Sequence, residues 1–366
     1  MKILYITNQI CGAAGLERVL SIKARLLAES YNYEVHILTL NQGKVDLFYD
    51  FGTAITYHDV PVAGNPLTYI KQYSKQLKTK VNQIKPDVIC VCDDGLKAFF
   101  LPFILNKPCP MVYERHVSKE IENTNDSFNL LSWFKNKLTY KLMYWGGKQY
   151  DKFIVLTDGN LKEWPLKNTM VINNPLPFKE NVIKSSLDKK IVLAVGRQSY
   201  QKGYDRLLLA WQDVIKSNPD WELHIYGKKD PALNLEKLVT DYNINSSVKF
   251  YNPIKNISGV YQKASVFVLS SRFEGFGMVL TEAMLHGVPC VSFDCPYGPS
   301  DIIDHNKNGV LIDNGNVKDF SIGISKLIND ENLRKTMGNQ AVNKALNFSS
   351  DIILKQWNNL FQSLQS

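Results

Sequence analysis

The chain of 366 residues has no run of eighteen or more apolar residues, so no membrane-spanning helix is expected. Its opening stretch, MKILYITNQ, carries one lysine and a short apolar run. That is too short for a secretory signal and reads as a first buried strand. Cysteine is scarce. Six in a chain of this length do not form a disulfide framework, and all six are expected as reduced core thiols of a reducing compartment. Cys90 and Cys92 alternate along DVICVC and should share one buried face. Such a pair can bind metal, but no second Cys/His pair stands near it, so the core assignment is preferred. There is no RNA-binding glycine–aromatic pattern and no zinc finger, and no nucleic-acid partner is expected. No GxGxxG follows the first strand; CGAAG at 11–15 imitates it poorly, which counts against a dehydrogenase.

What is present fits a globular α/β protein of two domains: 45% apolar, 21% charged, with a net charge of +8 that suits anionic ligands or an anionic membrane surface. Apolar runs alternate with helical patterns. KILYIT (2–7), EVHILTL (34–40), DVICVC (87–92), MVYER (111–115) and KFIVLT (152–157) read as strands, with a helix around 16–30. Continuous apolar strands separated by helices indicate parallel sheets covered on both faces. The stretch 171–189, with Pro175, Pro177 and a polar run, breaks the rhythm and reads as a linker. Strands then resume at 190–196, 222–227, 248–252, 266–270, 289–293 and 309–313, and only helical patterns follow about residue 316. The expected organisation is an N-terminal Rossmann-like domain over 1–170, a linker over 171–189, a C-terminal Rossmann-like domain over 190–348 and a last helix over 349–366. Ligands of open α/β sheets bind beyond the carboxyl ends of strands, so a ligand is expected between two doubly wound domains.

Two segments carry chemistry. In VGRQSYQKGYDRLLLAW (195–211), Arg197 and Lys202 follow a strand and precede a helix. An arginine fork and a lysine point charge there suit a diphosphate; two solvated loop cations are the plainer alternative. In RFEGFGMVLTEAM (272–284), Glu274 lies in the loop after a strand and Glu282 inside the following helix, with Gly275 and Gly277 near the first. Glycines let backbone N–H groups approach an anion, and carboxylates accept from sugar or ribose hydroxyls. Spacing alone favours the plainer alternative, a helix-start charge at Glu274 and a satisfied surface residue at Glu282.

The order of these segments, followed by GPSDII (298–303), resembles the family-four retaining glycosyltransferases of the GT-B fold, among the bacterial polysaccharide-type group 1 transferases. Their Glu-x7-Glu motif matches Glu274 and Glu282, and their phosphate-binding Arg and Lys match Arg197 and Lys202. Asp301 stands where that family's Gly-Pro-x-Glu-Ile-Ile has its glutamate. AAGLERVL (13–20) resembles their Gly-Gly-x-Glu-Arg loop, with Ala14 in place of the first glycine and Gly15 retained. The resemblance implies two Rossmann-like domains facing across a cleft and a donor held mainly by the C-terminal domain. Arg197 and Lys202 would neutralise its diphosphate, Glu282 would take the ribose and Glu274 the transferred sugar. Backbone N–H groups around Gly275, Phe276, Gly277 and Met278 would face the sugar or diphosphate, and Gly15 the donor. The base would lie near Tyr226, Gly227, Tyr251 and Asn252. YERHVSKE (113–120) looks like the family segment carrying a cleft histidine, here His116; a surface histidine paired with Glu114 or Glu120 is the alternative.

The implied activity is transfer of a sugar from a nucleotide-diphosphate sugar, with a UDP-sugar expected, to a hydroxyl of a glycan or polyprenyl-linked acceptor in bacterial surface polysaccharide synthesis. His116, Arg197, Lys202 and Glu274 would be catalytic. No acidic metal-binding triplet is evident, Asp93 and Asp94 reading as loop acids, so no metal and no cofactor is expected. WFKNKLTYKLMYWGGKQYDK (133–152) interleaves lysines with aromatics. Together with the lysines of 71–80 it suits peripheral contact with an anionic bilayer on the cytoplasmic side, or else a solvated lysine face. In the final helix Ser350 is the expected N-cap, with Trp357 and Phe361 on one face. A nucleotide-sugar epimerase or hydrolase on the same fold, and a non-catalytic two-domain sugar-binding protein, remain as alternatives.

Overall fold

A computed structural model describes residues 1–119, 130–178 and 182–365, with side chains for all but 130–134. The chain divides into two compact units. The first takes Met1–Val117, the described residues from 130 to Pro177, and the stretch from Ser350 onward. The second takes Phe178–Ser349 with Ser118 and Lys119.

In the first unit seven parallel strands form one sheet: β1 (Lys2–Thr7), β2 (Glu34–Leu40), β3 (Ile55–Val60), β4 (Val88–Cys92), β5 (Met111–Glu114), β6 (Lys152–Val155) and β7 (Thr169–Val171), ordered β3-β2-β1-β4-β5-β6-β7. Side chains alternate across a strand, so a continuous apolar run supplies two cores. Leu4, Ile6, Ile89 and Val91 enter one, and Ile3, Tyr5, Val88 and Cys90 the other. The sequence reading omits β3 and β7. Both are edge strands; ITYHDV is polar in its middle and buries only its ends, and β7 has three residues. Without an apolar run, only pairing to β2 and β6 makes them strands.

The second unit holds β8 (Ile191–Val195), β9 (Glu222–Tyr226), β10 (Val248–Tyr251), β11 (Val266–Leu269), β12 (Cys290–Asp294) and β13 (Gly309–Asp313), ordered β10-β9-β8-β11-β12-β13 with every pair parallel. In each sheet the chain starts in the middle, builds outward on one side, and returns to build on the other. The reversals fall between β1 and β4 and between β8 and β11. At such a point the loops after the two strands diverge and leave a crevice at their carboxyl ends.

The final helix, Ser350–Ser363, buries Ile353, Leu354, Trp357, Leu360 and Phe361 in the first unit's core beside the helix Gly15–Tyr31. Trp357 and Phe361 share a face, their ring centres 5.5 Å apart. Ser350 is not a cap: it is the first helical residue, and its hydroxyl donates to the Leu176 carbonyl at 2.9 Å. All six cysteines are free thiols, but only Cys90, Cys92, Cys290 and Cys295 are core residues; Cys11 and Cys109 are half-buried. None of the helices among the described residues is long and apolar enough to cross a membrane.

Candidate active site

In the second unit the loops after β8 and β11 are laced together. Arg272 N–H donates to the Gln201 carbonyl at 2.7 Å, Gln201 Nε2 to the Phe273 carbonyl at 3.1 Å, and Ser270 Oγ to the Lys202 carbonyl at 2.8 Å. Gly203 makes this approach possible. Its φ is +60°, and a Cβ there would lie 2.3 Å from the Ser270 carbonyl oxygen. The Arg272 guanidinium fastens the loop from the side. It forks onto both carboxylate oxygens of Asp205 at 2.9 and 2.6 Å, donates to the Tyr200 carbonyl at 2.8 Å, and lies 4.1 Å from the Tyr200 ring centre. Burial alone would push the Asp205 carboxyl up, but the Arg272 fork holds it below its ordinary value.

This lacing brings Lys202 to Glu274. Lys202 Nζ donates to Glu274 Oε1 at 2.7 Å, and Ser271 Oγ donates to the same oxygen at 2.6 Å. Glu274 is 6% exposed. Its backbone is fixed as well: its N–H donates to the Pro296 carbonyl, and its carbonyl accepts from Tyr297 N–H. Arg197 differs. It is exposed, and no hydrogen bond or ion pair joins it to a described residue. Gly275 and the buried Phe276 lead to Gly277, whose φ of +93° turns the chain into the helix Met278–Leu285. The N–H groups of Phe276, Gly277 and Met278 have no backbone acceptor among the described residues, as at any helix start.

Glu282 lies inside that helix and is only 1% exposed, so it is not a surface glutamate. Its Oε2 accepts from the Tyr261 hydroxyl at 2.8 Å. Tyr226 and Tyr251 end β9 and β10 as register partners, and their rings stack with centres 4.5 Å apart. Gly227 follows directly; a Cβ on it would strike the Gly196 carbonyl oxygen at 1.9 Å. Asn252 is exposed just beyond β10.

In the first unit Gly15 is the exposed first residue of the helix Gly15–Tyr31. His116 follows β5, and its side chain is only 6% exposed, so it is not a surface histidine. Its N–H donates to Asp94 Oδ1 at 3.0 Å, and its Nε2 lies 3.4 Å from Glu114 Oε2. Glu120, the other suggested partner, lies outside the described residues. Asp93 is buried and accepts from Asn8 Nδ2 at 2.8 Å and from Gly95 N–H at 2.9 Å. Cys92, Glu114 and His116 bring three potential metal-ligand atoms within 4.8 Å of one another. Sequence spacing hides this trio because it is assembled across β4 and β5.

Sequence reasoning also passed over Arg272, Asp205, Ser271 and Tyr261. Arg272 sits two residues before Glu274, but nothing in sequence pairs it with Asp205. The basic aromatic helix is Leu130–Gly147; of its aromatics, Trp133 and Phe134 lie outside the described side chains. Lys135, Lys137, Leu138, Lys141 and Trp145 are exposed, whereas Met143 is buried and Tyr140 and Tyr144 pack on the core. Trp145 is 47% exposed and stacks on Phe103 at 4.4 Å.

Residues 177–344 match the profile of the family Glycosyl transferases group 1. The chain is 28% identical over 366 residues to an uncharacterized glycosyltransferase of Haemophilus influenzae, covering 97% of this chain and 98% of that protein. It is 29% identical over 368 residues to the amylovoran biosynthesis glycosyltransferase AmsD of Erwinia amylovora, covering 98% and 99%. Among solved structures it is similar to S. aureus TarM in complex with Fondaparinux, alpha-GlcNAc-glycerol and UDP, with a TM-score of 0.80, 18% identity, and coverage of 98% and 99%. That likeness shows the fold. Residues 177–344 thus carry the family segment of the group 1 glycosyltransferases, the relatives that match the whole chain are named glycosyltransferases, and the two parallel α/β units have the GT-B fold.

Proposed function

We propose that this glycosyltransferase moves a sugar from a nucleotide-diphosphate sugar, a UDP-sugar by preference, to a hydroxyl of a glycan or lipid-linked acceptor during bacterial surface polysaccharide synthesis, with retention at the anomeric carbon. The observation that carries it is the Lys202–Glu274 contact at the β8/β11 reversal, with Arg197 exposed in the same loop after β8. An ammonium has three N–H donors. One reaches Glu274 Oε1, and the others can take phosphate oxygens. The pair thus links the diphosphate to the carboxylate assigned to the sugar. Two relatives support the class: AmsD by its name, and TarM by the UDP and alpha-GlcNAc-glycerol it holds.

In the reaction the bond from the anomeric carbon to the diphosphate oxygen breaks and a bond to the acceptor oxygen forms on the same face. The acceptor's hydroxyl proton passes to the departing diphosphate. Arg197, Lys202 and the N–H groups of Phe276–Met278 stabilise the charge that grows there, the work a metal does in other transferases. Glu282 takes the ribose, Gly15 approaches the donor, and the base lies by Tyr226, Gly227, Tyr251 and Asn252. His116 meets a hydroxyl of the donor sugar or the acceptor. Exposed lysines and Trp145 on the helix Leu130–Gly147 suit an anionic bilayer carrying a lipid-linked acceptor.

A thermal-shift panel of UDP-, GDP- and ADP-sugars tests the donor, because a ligand of the folded state raises Tm by mass action. Product analysis with labelled donor must then show transfer rather than free sugar. No shift with any nucleotide sugar, or turnover abolished by chelators, sinks this reading. Sedimentation with anionic vesicles at low salt tests the membrane contact.

A further inference from the structure

Beneath His116 lies a charge pair that the proposed chemistry does not use. Glu114 ends β5, and Lys23 comes from the helix Gly15–Tyr31. Their side chains contact each other and are withdrawn from water. Trp357 of the final helix covers the ammonium, with its ring centre 4.0 Å from Nζ, and the Tyr5 ring lies 5.0 Å away. The Glu114 oxygen that receives Lys23 is the one lying 3.4 Å from His116 Nε2.

Buried ion pairs are poor stabilisers, since apolar residues of similar size generally do as well. Their persistence therefore asks for another reason. Burial alone would push the Glu114 carboxyl up, but the Lys23 charge, with His116, overrides it and holds it at about 2. Glu114 is thus a fixed anion and only accepts hydrogen bonds. When the imidazole beside it is neutral, this anion favours a proton on Nε2, which leaves Nδ1 with a lone pair. An acid in the neutral form would donate and could reverse that choice. Asp94 fixes the same residue by its backbone, through the N–H of His116.

We propose that Lys23 and Glu114 are positioning residues that hold His116 in its Nε2–H tautomer, so that Nδ1 accepts a hydrogen bond from a hydroxyl of the donor sugar or acceptor. This rests on the reading of His116 as sugar-facing. The Cys92–Glu114–His116 trio has the donor set of a zinc site, but Lys23 already sets a positive charge against the carboxylate and opposes a second cation.

The test is 15N NMR of histidine-labelled full-length protein, with the His116 signals identified by their loss in His116→Gln. Lys23→Met/Glu114→Gln removes both charges together, which avoids leaving one buried alone. Its amide can turn either edge to the ring. At a pH high enough for the ring to be neutral, the wild type should show one tautomer at His116, protonated at Nε2. The double variant, folded by circular dichroism, should show a mixture. Its kcat should fall roughly tenfold, the loss of about one hydrogen bond, with the donor KM little changed. An Nδ1–H tautomer in the wild type, or an unaltered tautomer and kcat in the double variant, overturns the proposal while leaving His116 its role. Full activity in His116→Gln removes the sugar-facing reading itself. Stoichiometric zinc that is lost in Cys92→Ser also overturns it, by making the trio a metal centre.

Discussion

Lys202 Nζ and Glu274 Oε1 lie 2.7 Å apart although 72 residues separate them in the chain. A cation assigned to the diphosphate and a carboxylate assigned to the sugar thus meet directly. Ser271 donates to the same oxygen, so Lys202 can share itself with a phosphate without leaving Glu274 bare.

Replacing the two cations should therefore give different signatures. Arg197→Ala removes an exposed side chain with no described partner, so Tm should hold while turnover falls roughly 10²–10³-fold, about 2.7–4 kcal/mol of transition-state stabilisation. Lys202→Met should cost similar activity and also lower stability by roughly 1–3 kcal/mol, because Glu274 stays buried without its charge partner. Paired melting and initial-rate measurements check this. Near-normal turnover in Arg197→Ala would discard the mechanism.

At Glu282 the informative substitution is glutamine. Alanine opens a hole in the core and removes the carboxylate that accepts from the Tyr261 hydroxyl, so lost binding could merely reflect lost structure. Glu282→Gln keeps the volume and an acceptor for Tyr261. It should melt near the wild type while losing most of the thermal shift given by the preferred nucleotide sugar. An undiminished shift would take Glu282 out of the donor site.

Arg272→Lys should weaken the donor site without touching the donor. A lysine cannot fork onto Asp205 and also hold the Tyr200 carbonyl, so the turn carrying Lys202 loosens. Donor KM should rise several-fold with little change in far-UV circular dichroism. Unchanged donor kinetics would show that the turn holds itself.

Acid should destabilise the first unit through a histidine pair. His36 Nδ1 and His58 Nε2 lie 2.9 Å apart, an arrangement that needs one donor and one acceptor. Burial, then neighbouring His36 and Lys80, holds His58 below its ordinary 6.5. The unfolded chain then binds the proton more readily, so this contribution is present above pH 6.5 and is lost as pH falls through the folded value. His58→Gln should flatten the decline in stability between about pH 7 and 5. For Glu114, held at about 2 against an ordinary 4.5, the loss comes lower, as pH falls from 4.5 toward 2. Urea midpoints across pH separate the two ranges.

The apolar runs that became β1, β8 and β11 were legible because each strand is buried on both faces, and burial demands a continuous pattern. The loops that hold Arg197, Lys202 and Glu274 and the helix that holds Glu282 were legible from local pattern, whereas the roles expected of these residues came from the family resemblance. β3 and β7 were not, since edge strands take their pairing from a neighbour. Nor was the anchoring of Glu114 by Lys23, which stands 91 residues away.

What the sequence by itself determined was the alternation of strand and helix, the loop positions of the charged residues, and the family likeness. Each depends on residues a few positions apart. Only the tertiary structure decided that Lys202 reaches Glu274, that Arg272 clamps Asp205, and that Lys23 and Trp357 stand behind Glu114. Such contacts follow from strand order, and strand order is settled by how whole faces bury one another.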